Sequence, residues 1–269
     1  MSSQQSPMDI TPLFQLNLMV WLSWPMSPAV SNPIFRKNGF ELSFLGPNFR
    51  VPPQVRVAGA RHKPPIDIGD SPKPDLLLHS TTRSHWIPLE CKMHSFSPAS
   101  TTCSQAYGLL ACSGPDIAVN YGLSNPSQWK STVIYAVSYP DHSKMQTTLD
   151  KLTTTLRNAN VPVGKEPSTA VGIAVQDDGI YLHFSDLYKV PFDVDATVKV
   201  VESLPGNDPR PLYLICVDPT SSLNYSPRRH GGTERAAKGS TSLVGRQAGR
   251  PAVRHNLRAS VSPWCNGCS

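Results

Sequence analysis

The chain has 269 residues, enough for one large domain or two small ones. Charged residues make up 16% and hydrophobic residues 39%, which excludes a highly charged disordered chain and a membrane-embedded helical bundle. The 27 prolines, about twice average usage, exclude a long helical bundle and favour short strands and turns.

The net charge of +6 is concentrated at the C-terminus. Residues 224–269 hold eight of the 25 Lys and Arg residues and one of the 19 acids, so the rest of the chain is nearly neutral. Beyond Asn224 the apolar pattern stops and Gly, Ser, Arg and Ala dominate, which predicts a disordered basic tail over 224–269. Such a tail could contact nucleic-acid phosphates without sequence preference, or have no role.

The cysteines and the N-terminal apolar stretch indicate the compartment. Of the six cysteines, Cys265 and Cys268 form the one CxxC pair, and no second pair completes a zinc site. The apolar stretch over 13–24 is too short to span a bilayer, and no basic segment precedes it. We therefore expect a reduced intracellular protein, cytoplasmic or nuclear, with no signal peptide, no transmembrane segment and no membrane partner.

The N-terminal half is predicted to contain one helix and four strands. Thr11 and Pro12 fit the cap and first position of a helix that ends before Pro25, and a proline-rich linker continues to residue 33. A proline- and aspartate-rich loop is expected over 61–73. Alternating or continuous apolar runs predict strands over 40–45, 54–57, 76–78 and 86–93. Pro88 interrupts the fourth run and indicates a strand start or a bulge there.

The C-terminal half alternates helices and strands. We predict a helix over 98–112 that stops at Gly114, a strand over 132–139 and a helix over 143–160. A hairpin over 170–184 turns at Asp177-Asp178-Gly179, and a last strand is expected over 212–217. This order predicts an α/β fold with a mixed central sheet flanked by helices. The expected organisation is an N-terminal helix and linker over 1–33, a main domain over 34–223, and the tail.

Two carboxylates and a lysine lie where neighbouring strands can bring them together. Asp75 follows Pro74 at the start of one apolar run, while Glu90 and Lys92 lie in the next and share one face of it. If the two strands pair, Asp75 and Glu90 converge at one end of the sheet. Oxygen ligands of this kind suit Mg²⁺ or Mn²⁺, and a nearby lysine can hold or polarise a water. Together these groups suffice chemically for hydrolysis of a phosphodiester.

The residues Pro74-Asp75 and Glu90-Cys91-Lys92 resemble the motif of the PD-(D/E)XK nuclease superfamily, which has a restriction-endonuclease-like core. The resemblance covers residues 34–160 and includes the order of strands and helices around the motif. It implies that Asp75 and Glu90 bind the metal, that Cys91 offers its backbone carbonyl, and that Lys92 assists the water. Gln105 would match a polar residue, often glutamine, that many members carry on the following helix.

The leading hypothesis is therefore a metal-dependent nuclease, with DNA as the expected partner. Whether it also acts on RNA, whether it cuts within strands or from their ends, and whether it forms a homodimer stay open. A catalytically inactive nuclease-fold protein that binds nucleic acid or acts as a scaffold is the alternative. This alternative is favoured because the early acids of the chain, Asp9 and Glu41, do not match the acid that many members carry on an earlier helix. A third hypothesis assigns nucleic-acid binding to the basic tail alone. In a purely structural reading, Asp75 is a turn residue, while Glu90 and Lys92 form an ion pair on an exposed strand.

Overall fold

The computed structural model describes residues 10–24, 30–98, 100, 102–163 and 168–202. The helices are α1 (Pro12–Leu22), α2 (Ile34–Lys37), α3 (Pro53–Arg61), α4 (Thr102–Ala111), α5 (Gly114–Asn120) and α6 (His142–Asn158). The strands are β1 (Glu41–Leu45), β2 (Leu76–Ser80), β3 (His85–Cys91), β4 (Lys130–Ser131), β5 (Ile134–Ser138), β6 (Thr169–Gln176), β7 (Gly179–Phe184) and β8 (Thr197–Glu202). The predicted strand over 212–217 and the predicted tail lie outside the described residues.

The strands form one mixed sheet in the order β1-β2-β3-β5-β6-β7-β8, and the short β4 pairs with β3. Strands β1, β2 and β3 are antiparallel neighbours, as are β6, β7 and β8. Between these two groups, β3, β5 and β6 run parallel. The connection from β3 to β5 contains α4 and α5, and the connection from β5 to β6 contains α6. The predicted mixed α/β architecture with flanking helices is therefore confirmed.

Helices cover both faces of the sheet, and each face has its own hydrophobic cluster. Helices α1 and α2 pack on the face that carries Leu76, Leu78, Ile87 and Leu89. The opposite face, which carries Leu77, Trp86 and Tyr135, packs against α4, α5 and α6. Because neighbouring residues of a strand point to opposite faces, Glu90 lies on the side of α4 and α6. No helix within the described segments has the length and apolar character needed to cross a bilayer.

Local signals account for the elements that the sequence predicts correctly. Thr11 caps α1, since its hydroxyl accepts a hydrogen bond from the Phe14 N–H, and Pro12 opens the helix as expected. Helix α6 buries Met145, Leu149, Leu152 and Leu156, which recur at helical spacing. The turn at Asp177-Asp178-Gly179 joins β6 to β7 in antiparallel register.

The strand predicted over 54–57 is wrong, because this segment begins helix α3. Pro52 and Pro53 lie at the cap and at the first helical position, where a proline needs no amide hydrogen. Val55 and Gly59 are the buried residues of the helix, four positions apart, while Val57 is exposed. Four residues are too few to distinguish a period of two from one of 3.6, so the apparent alternation was misleading.

Helix α4 ends at Ala111, before Gly114 as predicted, but Gly114 is also the first residue of a second helix, α5, which the sequence analysis missed. Ser113 caps this helix through a hydrogen bond from the Asp116 N–H, and the Asp116 side chain accepts from the Ser113 N–H in return. A Cβ at position 114 would come within 2.4 Å of backbone atoms of Trp129 and Lys130. Glycine is therefore required there by close packing. Strands β4 and β8 are further elements that the sequence analysis missed.

Pro88 lies inside β3 rather than at its start. Pairing with β2 is continuous through Pro88, which excludes a bulge against that strand. On the other side, β4 pairs with His85 and Trp86, whereas β5 pairs with residues 89–91. Pro88 falls in the gap between these two partners, where the missing amide hydrogen breaks no ladder hydrogen bond.

Candidate active site

Asp75 and Glu90 face each other at one end of the β2–β3 hairpin. Leu76 pairs with Leu89, so the register sets Asp75 opposite Glu90, where Cβ atoms are typically about 5 Å apart. The Asp75 carboxylate accepts a hydrogen bond from the Cys91 N–H at 2.7 Å, which ties the residue before β2 to the end of β3. The structure therefore brings together the two carboxylates that the sequence places in neighbouring strands.

The Glu90 side chain is buried, with 3% of the residue surface exposed, and its two carboxyl oxygens have different hydrogen-bond surroundings. Oε1 is 2.6 Å from the Lys92 ammonium group and accepts a hydrogen bond from Gln105 Nε2 at 3.1 Å. Oε2 is buried and has no hydrogen-bond partner among the described residues. A buried acceptor of this kind is costly unless a ligand or solvent satisfies it.

Burial and charge together raise the pKa of Glu90 to about 7. The largest cause is loss of solvent around the carboxylate, and the negative charge of Asp75 acts in the same direction. The Lys92 ammonium opposes the rise, as does the nearby Asp75 backbone to a smaller extent, but together they only partly offset it. Glu90 is therefore poised between its protonated and ionised forms near neutral pH.

Lys92 follows the last residue of β3, and two other elements hold its backbone. Its N–H donates to the Ala136 carbonyl of β5 at 2.9 Å, and its carbonyl accepts from Gln15 Nε2 of α1 at 2.9 Å. Gln15 is completely buried, and its own Oε1 has no hydrogen-bond partner among the described residues. The sequence analysis missed this residue. The available signal was a pair of amides, Gln15 and Asn17, within an otherwise apolar helix.

Gln105 connects the site to the loop before β2. It lies on α4, and its Nε2 donates both to Glu90 Oε1 and to the Lys73 carbonyl, the latter at 2.9 Å. The predicted placement of Gln105 beside the motif is therefore present in the structure. Its contacts hold the Glu90 carboxyl in a single orientation from the helix side.

The remaining candidates lie at the edge of this group or apart from it. The Cys91 side chain is buried in the cluster beneath α1, so what it could offer the site is its backbone, as the resemblance implies. Glu41, at the start of β1, forms an ion pair with Arg36, and Asp9 lies outside the described residues. His94 is largely exposed, with Nδ1 3.0 Å from Asp141 Oδ2.

The donor set fits a small, hard divalent cation. Within the described segments, no cluster of three or more His, Cys, Asp or Glu side chains could enclose a metal ion. Mg²⁺, however, is commonly held by one or two carboxylates, with water and substrate phosphate completing its coordination. Asp75 and the unpartnered Oε2 of Glu90 provide two such oxygens. These oxygens are of the type that Mg²⁺ or Mn²⁺ prefers, so the two residues could hold such an ion.

Comparison of the chain with protein-family models, with curated proteins and with solved structures gave no match. Any assignment of function therefore depends on the geometry and chemistry of this site.

Proposed function

We propose that this chain is a metal-dependent nuclease with a restriction-endonuclease-like core, and that it hydrolyses phosphodiester bonds of DNA. The observation that carries the proposal is the Glu90 carboxyl. It is buried opposite Asp75, it has one oxygen without a partner, and its other oxygen lies 2.6 Å from the Lys92 ammonium. An acid pair and an ammonium at one sheet end are suited to the charges that develop during phosphodiester cleavage.

The order of elements supports the same core. Helix α1 precedes three antiparallel strands, with α2 before β1 and α3 between β1 and β2, and the motif residues lie in or next to β2 and β3. Helices α4 and α5 follow, then the parallel strand β5, helix α6 and the parallel strand β6. This is the arrangement that the resemblance to PD-(D/E)XK nucleases implies for the residues around the motif.

Each residue of the site has a role in the proposed reaction. Asp75 and Glu90 would hold Mg²⁺ or Mn²⁺, with the Cys91 carbonyl as a further ligand, and the bound ion would act as a Lewis acid on the phosphate. Lys92 would orient the attacking water for in-line displacement and offset charge on the phosphate oxygens. Gln105 would keep the Glu90 carboxyl aligned through its hydrogen bond to Oε1.

A second candidate function is a nuclease-fold module that binds nucleic acid, or serves as a scaffold, without cleaving it. The observation that favours it is the composition of α1. The polar residues of this helix are the amides Gln15 and Asn17, and it contains no acid, whereas many members of the superfamily carry an acid on an earlier helix. Two carboxylates alone would then give weak metal binding. The two functions differ in whether the bound metal supports hydrolysis.

The test is cleavage of supercoiled plasmid, linear duplex DNA, single-stranded DNA and RNA in the presence of Mg²⁺ or Mn²⁺. Wild type is compared with D75A and K92M, and with the control variants D177A and K144A, whose wild-type side chains are exposed and lie outside the site. We expect metal-dependent cleavage of DNA by wild type and both controls. Both site variants should lose at least a hundredfold in rate, as is typical when a charged group that acts in the transition state is removed.

Two results would contradict the nuclease proposal. Cleavage that survives in both D75A and K92M would mean that another site, or a contaminant, performs it. A folded wild-type protein that binds Mn²⁺ through Asp75 but cleaves none of the substrates would favour the non-catalytic module. Binding of nucleic acid that depends only on residues 224–269 would instead support the tail hypothesis.

A further inference from the structure

Gln15 occupies a position where an amide is energetically unfavourable. It is completely buried in α1, which packs with apolar side chains against the sheet face opposite Glu90. Its Nε2 donates to the Lys92 carbonyl, 77 residues away in the chain, and its Oε1 remains buried without a partner. Burying an unsatisfied polar atom destabilises a protein, so an apolar residue of similar size would pack here at lower cost.

The hydrogen bond from Gln15 acts at the point where β3 ends. The Lys92 N–H is held by Ala136 of β5, but beyond Cys91 the chain leaves the pairing with β2 and β5. The Lys92 carbonyl is held by the Gln15 amide instead. The two peptide groups that flank the Lys92 Cα are thus anchored from two different elements, which sets the direction in which its flexible side chain leaves the backbone.

We propose that Gln15 is a positioning residue of this site: by holding the Lys92 carbonyl from α1, it directs the Lys92 ammonium to Glu90 Oε1. The catalytic consequence rests on the proposed nuclease function, whereas the positioning itself is a property of the fold. The orientation of the amide follows from its partner, because a carbonyl can accept only from Nε2. The unsatisfied Oε1 is the cost of placing a donor at that point.

Asn17 provides a matched control on the same helix. It is also buried, and its Oδ1 also lacks a partner among the described residues. Its Nδ2 donates to the Leu13 carbonyl, so this hydrogen bond stays within α1 and does not reach the site. Replacing either residue by an apolar one removes one buried amide from α1. A general effect on helix packing should therefore be shared by both variants, and a positioning effect should appear in only one.

The experiment compares Q15M with N17L in the full chain by NMR and kinetics. Labelling with carbonyl-¹³C lysine and ¹⁵N methionine selects two peptide groups, Lys92–Met93 and Lys144–Met145, and the second serves as an internal reference in α6. In Q15M we expect the Lys92 carbonyl signal to move upfield, because its hydrogen bond is lost, while the Lys144 signal stays in place. With DNA as substrate, kcat should fall about tenfold with little change in KM.

The N17L control and the melting temperatures of both variants separate a positioning effect from a general effect on stability. N17L should leave the Lys92 signal and kcat unchanged, and Q15M should unfold at the wild-type temperature or above it. An unmoved Lys92 signal in Q15M, or an equal loss of kcat in N17L, would overturn the proposal. If wild type cleaves no substrate, the proposed function fails, and the Lys92 carbonyl shift alone decides whether Gln15 holds this residue.

Discussion

At the scale of single residues, the site is governed by the balance of charge around Glu90. Desolvation and Asp75 favour the protonated carboxyl, and Lys92 favours the ionised one. The ion pair expected from the sequence is present, but Glu90 lies on a strand whose seven residues are all buried, and Lys92, which follows that strand, is partly exposed. An ion pair whose carboxylate is buried beside a second carboxylate is a poor source of stability and a common feature of catalytic sites.

The first prediction concerns the pH dependence of stability. The pKa of Glu90 is about 7 in the folded protein and close to the ordinary value of 4.5 when unfolded. The unfolded state therefore loses its proton first, and the free energy of unfolding falls as pH rises from 4.5 to 7. The loss amounts to about 3 kcal/mol and is complete above pH 7.

Glu90→Gln removes this titration. We expect E90Q to match wild type near pH 4 and to be more stable by about 3 kcal/mol at pH 8, in metal-free buffer. Urea unfolding at both pH values measures the difference. A stability difference that is the same at pH 4 and pH 8 would contradict the raised pKa of Glu90.

The second prediction concerns Lys92. Since the ammonium opposes the rise in the pKa of Glu90, K92M should move that pKa further upward, above about 7. The measurement is a ¹³C NMR titration of the Glu90 carboxyl carbon in both proteins. A downward shift, or none, would mean that Lys92 does not contact Glu90 in solution. The exposed Lys144→Ala variant should leave the titration unchanged.

At the scale of elements, helix α5 carries the third prediction. Ser113 and Asp116 form a reciprocal cap at its first turn, which satisfies two backbone N–H groups. Ser113→Ala should lower the free energy of unfolding by about 1 kcal/mol, as measured by denaturant titration. Ser143→Ala, at an exposed position in the first turn of α6, is the comparison, and it should cost less. Equal losses would argue against the cap.

Helices and strands were predictable where a short sequence motif is compatible with one local structure. Thr11-Pro12 fits a helix start, and the Asp-Gly turn fits a hairpin, so α1 and the β6–β7 pair followed directly. Gly114 is compatible with two structures, because a glycine can end a helix or can allow a helix to pack closely against a neighbouring segment. Which one applies depends on Trp129, which lies fifteen residues further along the chain.

At the scale of the whole molecule, the site is assembled from four separate places in the chain. Asp75 and Glu90 meet through the register of one hairpin. This register can be predicted from the sequence, because the two strands have a recognisable apolar pattern and the connection between them is short. Gln105 was identified through the resemblance to the nuclease superfamily, and it is tied to Glu90 from α4 by a hydrogen bond. Gln15 was not predictable, because its contact joins residues 77 positions apart and depends on how α1 packs.

The last prediction couples the site to the stability of the molecule. A cation that binds only the folded state raises the free energy of unfolding, by about 2.7 kcal/mol at a hundred times its dissociation constant. To bind, Mn²⁺ must displace the proton that Glu90 holds below about pH 7. At a fixed Mn²⁺ concentration, the gain in melting temperature should therefore be larger at pH 8 than at pH 6. It should disappear in D75A and E90Q and persist in D177A, where a surface acid is removed. Thermal unfolding with and without EDTA measures it. A gain that remains in E90Q would show that the cation binds elsewhere, and the carboxylate pair would then be a charged structural contact rather than a metal site.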